Sequence, residues 1–319
     1  MTRPRPAEAA GYSRGVLAAY FAGLMLAWGL AFGAIKVGLA ACPPLLYAGL
    51  RTLGGGAALS LWAWWRREPL RLREEGTVYV VSSLLNVIVF FGLQTVTIQL
   101  LPSGLASVLV YFQPIAVGVI AWIWLREPMT VTKAIGLGLG FLGMVAASGQ
   151  ALALRHAGDG VAVGLLSAVT WAAGTVYVKA VQDRVSAVWL MAVQFTLGGL
   201  VLTPLALLVD RGQPVVWSWT LVGSLAYASL AGVAFAWIAW YAIIRVFPAT
   251  EASAYIFGVP LVSVLTGVVA LGEPFTPELA VGLVATALGI FLVNRAAPRR
   301  PAEAGEGRRE ARARPPGEG

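Results

Sequence analysis

Cysteine and histidine are almost missing from this chain of 319 residues, which contains only Cys42 and His156. A single cysteine excludes an intrachain disulfide and gives no indication of a cysteine-based metal site. The HExxH pattern that binds zinc in many hydrolases is absent. His156 falls in a predicted loop, so it does not complete a catalytic pair inside a buried segment. We therefore predict that the chain is not an enzyme, and we predict no cofactor and no metal site.

Charged residues are scarce as well. They make up 12% of the chain, whereas hydrophobic residues make up 58% and the mean hydropathy is +0.77. An ordinary soluble domain is about a quarter charged. Apolar segments of about 20 residues, the length that crosses the hydrocarbon layer of a bilayer, recur along nearly the whole sequence. This pattern predicts an all-α polytopic membrane protein with ten transmembrane helices, at 16–36, 45–65, 77–99, 103–125, 131–150, 161–180, 187–209, 218–244, 249–271 and 277–294.

The basic residues indicate how these spans are oriented. If the chain starts on the cytoplasmic side and crosses ten times, 19 of its 23 Lys and Arg residues lie in cytoplasmic segments. Because cytoplasmic loops retain Lys and Arg, we predict a cytoplasmic N-terminal segment at 1–15 and a disordered, basic cytoplasmic tail at 296–319. The sequence pI near 10 can also suggest nucleic-acid binding. Here the charges lie at span ends and in the tail, so we predict no nucleic-acid partner.

A six-residue pattern occurs twice, as LREPMT at 125–130 and as LGEPFT at 271–276. The matching positions in the two halves include Pro102 and Pro248, Pro114 and Pro260, Trp28 and Trp171, and Lys36 and Lys179. We infer two copies of a five-helix unit, at 16–150 and 161–295. Because five is odd, the second copy must enter the membrane in the opposite orientation. Such inverted repeats are a recurrent basis of alternating-access transporters.

The repeated pattern itself is typical of a turn. Its proline cannot continue the preceding helix, and Thr130 and Thr276 suit the N-cap of the next helix, with Pro277 at the first helical position. Glu127 and Glu273 could accept hydrogen bonds from unpaired amides at a neighbouring helix start. A role of these carboxylates in coupling transport to an ion is the alternative.

Polar and aromatic side chains inside predicted spans mark a candidate cavity, because polar groups within the bilayer are unfavourable unless they have a function or a partner. The candidate substrate-binding residues are Trp28, Phe32, Asn86, Gln94, Tyr111, Gln113, Trp171, Thr175, Trp237, Tyr241 and Tyr255. The alternative for each aromatic residue is simple packing or anchoring at the membrane interface.

Arg51 lies several residues inside the second predicted span, and no acidic residue is near it in the first four spans. It could contact a carboxylate or another anionic group of a substrate. The favoured alternative is that its long side chain snorkels to the membrane interface or binds carbonyl groups at a helix end.

Acidic residues are nearly absent from the predicted spans; apart from Glu278 at the start of the tenth span, only Glu251 is found there. It lies in the first turn of the ninth span, where a negative charge complements the helix N-terminus. A proton-coupled antiporter that uses a buried glutamate is therefore not supported. We expect facilitated transport, or coupling through other groups.

Three segments resemble the EamA-type branch of the drug/metabolite transporter superfamily: AWGLAFGAIKVGLAACPPLLYAGLR at 27–51, YFQP followed by LREPMT, and WYAIIRVFPATEASAYIFGVP at 240–260. The resemblance covers about residues 16–295. It implies ten helices, cytoplasmic termini and a carrier of small metabolites in the bacterial inner membrane. It also implies a central cavity surrounded by helices 1, 3, 4, 6, 8 and 9.

These observations together predict an inner-membrane transporter that moves small metabolites by alternating access. Aromatic walls suit a substrate with an apolar body, so amino acids or related compounds are the leading class, and we expect export. A membrane channel or a lipid or polyprenol flippase is the alternative. The predicted partners are a small-molecule substrate and the lipid bilayer. Small residues in the fifth and tenth spans favour close packing within one chain, with a homodimer contact as the other option.

Overall fold

The structure is a computed structural model, and it describes residues 14–148, 157–210, 214–256 and 258–295. Every regular element within these residues is a helix. The tail predicted at 296–319, most of the N-terminal segment at 1–15, and His156 lie outside the described residues.

The helices follow the predicted spans closely. In the first half they are α1 (Arg14–Gly38), α2 (Pro44–Trp65), α3 (Leu72–Leu100), α4 (Ser103–Trp124) and α5 (Val131–Ser148). In the second half they are α6 (Ala157–Val181), α7 (Ala187–Val209), α8 (Trp219–Val246), α9 in two pieces (Ala249–Tyr255 and Gly258–Leu271) and α10 (Pro277–Arg295). One boundary differs in an important way, because α3 begins at Leu72 and not at residue 77, which places Glu75 inside the helix.

Six helices within the described residues are long and apolar enough to cross a membrane: α1, α3, α4, α6, α7 and α8. Val131–Gly143 of α5, the second piece of α9 and most of α10 are shorter apolar helices. Large apolar side chains cover much of the outer surface, and Leu207, Val269 and Trp219 are 73%, 75% and 90% exposed. Such a surface is stable only against lipid, so the chain is a multi-pass membrane protein.

Two helices widen at equivalent places. Residues Leu84–Val89 of α3 and Ala228–Phe235 of α8 are π-helical. In a π-helix each backbone hydrogen bond spans five residues along the chain, one more than in an α-helix. The wider turn rotates the residues that follow it around the helix axis. These segments set the direction of the side chains of α3 and α8 that reach the centre of the molecule.

The fourth helix of each half is interrupted. In α4 the break falls at Tyr111 and Phe112, between Ser103–Val110 and Gln113–Trp124, with Pro114 in the first turn of the second piece. In α9 the two pieces end at Tyr255 and resume at Gly258, ahead of Pro260. Since proline lacks an amide proton, it favours such a break.

Small residues bring helix pairs into close contact. A methyl group added to Gly136 of α5 would lie 2.7 Å from the carbonyl oxygen of Gly289 in α10, and one added to Gly143 would lie 2.7 Å from the carbonyl oxygen of Gly282. The predicted packing of these two helices within one chain is confirmed. Helices α2 and α7 pack in the same way. A methyl group added to Gly56 of α2 would lie 2.6 Å from the backbone nitrogen of Thr196 in α7.

The glutamates of the repeated turns cap helices in the opposite half. Glu127 accepts hydrogen bonds from the amides of Ala249 at 2.8 Å and Thr250 at 3.2 Å, at the start of α9. Glu273 accepts from the amides of Ser103 at 2.7 Å and Gly104 at 3.1 Å, at the start of α4. The predicted contact with helix-start amides is therefore confirmed.

The threonines of the same turns cap the helices that follow them. The hydroxyl of Thr130 accepts from the amide of Lys133 at 3.3 Å, and that of Thr276 accepts from the amide of Leu279 at 3.3 Å. The predicted N-caps are confirmed as well.

Two equivalent lysines bind the carbonyl groups at the ends of α3 and α8. Lys36 Nζ donates to the carbonyls of Ile98 at 2.7 Å and Leu101 at 2.8 Å. Lys179 Nζ donates to the carbonyl of Phe247 at 3.0 Å. These contacts lie at opposite ends of the helix bundle, which are called below the Lys36 end and the Lys179 end.

Candidate functional site

A small cavity of about 20 Å³ lies in the interior of the bundle. Its walls come from α1, α2, α3, α4, α6 and α8, so both halves of the chain contribute. The lining residues are Trp28, Ala31, Phe32, Ile35, Arg51, Phe90, Phe91, Gln94, Tyr111, Trp171, Gly232 and Trp237.

Aromatic rings form most of the wall. The ring of Phe90 stacks on Trp171 with centroids 4.9 Å apart and planes inclined by 19°. Trp28 meets Trp171 edge-on at 5.4 Å and Trp237 at 5.9 Å, and Tyr111 meets Trp171 edge-on at 5.5 Å. Edge-to-face and offset contacts of this kind are favourable for aromatic rings, so the wall is a rigid surface suited to an apolar ligand.

The two equivalent tryptophans differ in their hydrogen bonds. Trp28 Nε1 donates to the carbonyl of Gly232, in the π-helical segment of α8, at 2.9 Å. Trp171 Nε1 is buried and has no hydrogen-bond partner among the described residues. The two halves are therefore not identical at the cavity.

Arg51 provides the charged side of the cavity. Its Nη2 donates to Oε1 of Gln94 at 2.8 Å and to Oγ1 of Thr95 at 2.9 Å. The guanidinium carbon lies 4.4 Å from the centroid of the Phe91 ring. Only 3% of the residue is exposed, so the favoured prediction, that Arg51 snorkels to the membrane interface, is wrong. The hydrogen bonds that Arg51 donates to two side chains, together with the face of an aromatic ring, hold the charge inside the bundle instead.

The cavity lies nearer to the Lys36 end. Arg51 follows the start of α2 at Pro44 by seven residues, which corresponds to about 10 Å at the helical rise of 1.5 Å per residue. Gln94 precedes the end of α3 at Leu100 by six residues, so it lies at a similar depth. Trp171 and Trp237, which also line the cavity, lie near the middle of α6 and α8.

Seven of the twelve candidate residues line the cavity: Trp28, Phe32, Arg51, Gln94, Tyr111, Trp171 and Trp237. The other five candidates are not among the residues that line the cavity. Gln113 Nε2 donates to Oγ1 of Thr175 at 3.1 Å, and Tyr241 donates to the carbonyl of Gln182 at 3.3 Å. The Asn86 side chain faces α6, because a methyl group on Gly174 would lie 2.2 Å from its Oδ1. Tyr255 ends the first piece of α9, and its side chain lies outside the described part of the structure.

Five residues of the cavity wall were not predicted from the sequence. Phe90, Phe91, Ala31, Ile35 and Gly232 line the cavity, and they resemble any other apolar residue of a membrane helix. In α3, Phe90 and Phe91 directly follow the π-helical segment Leu84–Val89. The resemblance also implied walls from helices 1, 3, 4, 6, 8 and 9, whereas α2 contributes Arg51 and no described side chain of α9 takes part.

Glu75 is a further acidic residue within a span, beside the Glu251 and Glu278 of the predicted spans. It belongs to the first turn of α3 and is 8% exposed. The hydroxyl of Tyr79 donates to its carboxylate. The predicted start of the span at 77 had placed Glu75 in a loop. It lies far from the cavity, at the Lys179 end.

Within the residues that the structure describes, no group of three or more His, Cys, Asp and Glu side chains is arranged to hold a metal ion. The cavity therefore offers aromatic faces, one guanidinium group and the side-chain amide of Gln94. This combination can bind and orient a small molecule.

Comparison with known proteins gives the family. The model of the EamA-like transporter family matches residues 13–149 and again 159–295. Each match corresponds to one of the two predicted repeats. Together they cover most of the chain.

Several relatives match nearly the whole chain. "Uncharacterized transporter YvbV" of Bacillus subtilis is 39% identical over 271 residues, which are 85% of this chain and 89% of that protein. "Uncharacterized transporter YoaV" of the same organism is 29% identical over 84% of this chain and 92% of its own length. A protein of Salmonella typhimurium, named "Probable amino-acid metabolite efflux pump", is 24% identical over 84% of this chain and 91% of its own length.

One solved structure, described as "Crystal structure of protein", has the same fold. Its TM-score is 0.69 at 20% sequence identity, and the match covers 90% of this chain and 99% of that one.

Proposed function

This chain belongs to the EamA-like transporter family, and we propose that it is a carrier that moves small, partly apolar metabolites across the bacterial inner membrane by alternating access. The observation that carries the proposal is the cavity between the two halves, lined by aromatic side chains of α1, α3, α4, α6 and α8. A site that both halves share can open to either side when the halves move against each other.

The proposed topology has ten transmembrane helices in two inverted five-helix repeats, with both termini in the cytoplasm. The distribution of basic residues supports this orientation. The reciprocal contacts of Glu127 with the start of α9 and of Glu273 with the start of α4 support the symmetry. Because α5 and α10 use their small residues on each other, we propose that one chain forms the transport path. A homodimer would have to use other surfaces.

The proposed substrates are amino acids or related compounds with an apolar body, and the proposed direction is export. Aromatic walls with a few polar groups suit such molecules. The Salmonella relative whose name refers to amino-acid metabolite efflux supports the direction. A channel would need a continuous polar path, whereas this cavity is lined mostly by aromatic rings, and two of them, Trp171 and Trp237, are only 1% and 3% exposed.

Metabolite profiling of the culture medium tests this proposal. Cells expressing the protein are compared with cells that carry an empty vector, a Trp171→Ala variant and a Trp219→Ala variant. Trp171 lines the cavity, while Trp219 is 90% exposed on the outer surface. Trp219→Ala is therefore the matched control for loss of a tryptophan from a membrane helix.

We expect at least one amino acid or related compound to accumulate in the medium with the wild-type chain and with Trp219→Ala, but not with Trp171→Ala. Equal profiles for all strains, at equal amounts of protein in the membrane, would contradict export. Uptake of the same compounds into inverted and right-side-out vesicles then separates import from a lipid-flipping activity.

A further inference from the structure

Arg51 carries a positive charge in the cavity wall that none of the acidic side chains described in the structure neutralises. Its residue exposure is 3%, and no described carboxylate lies within ion-pair distance of it. None of the described residues that line the cavity is acidic. A buried charge without a counter-charge is strongly unfavourable unless other groups or a ligand compensate for it.

The guanidinium group uses only part of its hydrogen-bonding capacity. An arginine has five N–H donors in a planar fork that matches the two oxygens of a carboxylate. Within the described structure both hydrogen bonds of Arg51 come from Nη2, to Gln94 and Thr95. Arg51 Nε is buried and has no partner. The donors that remain are those a planar anion would use.

The neighbours of Arg51 hold this group in position. Oγ1 of Thr95 accepts from Arg51 at 2.9 Å and donates to the carbonyl of Phe91 at 2.7 Å. Oε1 of Gln94 accepts from Arg51 at 2.8 Å, which fixes the orientation of the side-chain amide. The amide nitrogen of Gln94 makes no hydrogen bond to the described residues, and Gln94 lines the cavity beside Arg51.

We propose that Arg51 and Gln94 form a carboxylate-binding subsite, and that the substrate is a small organic acid with an apolar or aromatic body. The carboxylate would accept from the free donors of Arg51 and from the amide of Gln94. The body of the substrate would lie against Trp28, Trp171 and Trp237. An ammonium group is not required, because the described lining offers no carboxylate to pair with it.

This inference rests on the proposed function, since it assigns a substrate class to the same cavity. It is tested with the purified full-length protein in detergent by thermal unfolding. The probes are 3-phenylpropanoate, L-phenylalanine and 2-phenylethylamine, which share an aromatic body and differ in the carboxylate and the ammonium group. We expect 3-phenylpropanoate and L-phenylalanine to raise the melting temperature, and 2-phenylethylamine to leave it unchanged.

Two variants of Arg51 define the role of the charge. Arg51→Gln should raise the Kd for 3-phenylpropanoate by at least about tenfold, the usual effect of losing a charge-assisted hydrogen bond. Arg51→Lys keeps the charge but loses the planar fork, so its Kd should lie between those of the wild type and Arg51→Gln. Arg66→Gln changes an exposed arginine at the end of the same helix and should leave the Kd unchanged.

Gln94→Glu is a variant that does not remove a buried group. The new carboxylate would lie where Oε1 now accepts from Arg51 at 2.8 Å, and it would pair with the guanidinium as the substrate does. We expect a higher melting temperature without ligand and loss of the shift by 3-phenylpropanoate. A shift of wild-type size in Gln94→Glu or in Arg51→Gln overturns the subsite.

The outcomes also separate the subsite from the proposed function. Equal shifts by the acid and the amine, or no shift by any probe, overturn the carboxylate subsite. The export experiment with Trp171→Ala does not depend on these results, since it detects any accumulated metabolite. The binding experiment can therefore contradict the carboxylate subsite while the export experiment supports the carrier function. The opposite combination of results can be observed as well.

Discussion

Trp28 of α1 donates its indole N–H to the carbonyl of Gly232 in α8 at 2.9 Å. The equivalent tryptophan of the second half, Trp171, occupies the same cavity and has no hydrogen-bond partner for its Nε1 among the described residues. Equivalent positions of a duplicated chain thus make different contacts in this conformation. The residue of α3 that corresponds to Gly232, 146 positions earlier, is Asn86.

Replacing each of these tryptophans with phenylalanine should have unequal effects on stability. Trp28→Phe removes a donor and leaves the carbonyl of Gly232 without it, so the free energy of unfolding should fall by about 1 kcal/mol or more. Trp171→Phe removes a donor that has no partner, so the change should be close to zero apart from packing. Denaturant unfolding of the two purified variants checks this. Equal losses would show that ring volume, and not the hydrogen bond, governs the effect.

The capping glutamates should act on stability more than on transport. Glu273 accepts from the amides of Ser103 and Gly104 and from the Ser103 hydroxyl at 2.8 Å. Glu273→Gln removes the charge and one acceptor oxygen, so we expect a loss of about 1–2 kcal/mol and a lower melting temperature. Glu74→Gln is the matched control, because the Glu74 side chain is 75% exposed.

Transport by the same variants separates capping from ion coupling. If Glu273 only caps α4, the rate per folded Glu273→Gln molecule in proteoliposomes should stay within about twofold of the wild type. An unchanged melting temperature together with abolished transport would instead identify the carboxylate as a coupling group. Glu127→Gln should behave in the same way, since Glu127 makes the equivalent contacts with α9.

The thiol of Cys42 should react slowly with alkylating reagents. It lies between α1 and α2 and is 4% exposed. Burial, with a smaller contribution from the nearby negative charge of Asp210, raises the pKa of the thiol to about 11, compared with about 8.5 for a free cysteine. The thiolate is the reactive form, so a raised pKa lowers its fraction at pH 7.5, and the rate should increase about tenfold per pH unit as the pH rises towards the pKa.

Iodoacetamide labelling followed by mass spectrometry measures this rate. Labelling in SDS, which removes the burial, serves as the reference and should be fast at pH 7.5. Asp210→Asn should speed the reaction of the native protein modestly, because the charge is the smaller of the two causes. Equal rates in the native and SDS-treated protein would show that Cys42 is freely accessible.

Two glycines of α5 provide a matched pair for testing helix packing. Gly136→Ala would place a methyl group 2.7 Å from the carbonyl of Gly289, whereas Gly138→Ala meets nothing within 4 Å. The first change forces α5 and α10 apart and should lower the melting temperature clearly. The second gains helix propensity and should leave stability unchanged or raise it by up to about 1 kcal/mol. Equal melting temperatures would contradict the close contact of these helices.

Much of the architecture could be predicted from the sequence because it depends on local chemistry. The length of the apolar segments predicted the helices. The repeated proline, threonine and glutamate predicted the turns after α4 and α9. The duplication also made Lys36 and Lys179 equivalent, and they bind the equivalent carbonyl groups of Leu101 and Phe247.

The parts that could not be predicted depend on the rotation of helices. The π-helical turn at Leu84–Val89 has no sequence signal. Phe90 and Phe91, which follow it, line the cavity, whereas Asn86 within it does not. The side chain of Arg51 could have reached the interface by length alone. Its inward direction depends on Gln94 and Thr95, which approach from another helix.

The exchange of capping glutamates has a consequence for the history of the chain. Glu127 completes a helix of the second half, and Glu273 completes the matching helix of the first. Two copies of one ancestral five-helix chain, related by a two-fold axis, would make both contacts with a single glutamate, as any self-complementary interface does. The present molecule thus keeps, inside one polypeptide, the contact pattern of a symmetric dimer. The equivalent positions of the two halves nevertheless differ in detail, as Trp28 and Trp171 do in their hydrogen bonds.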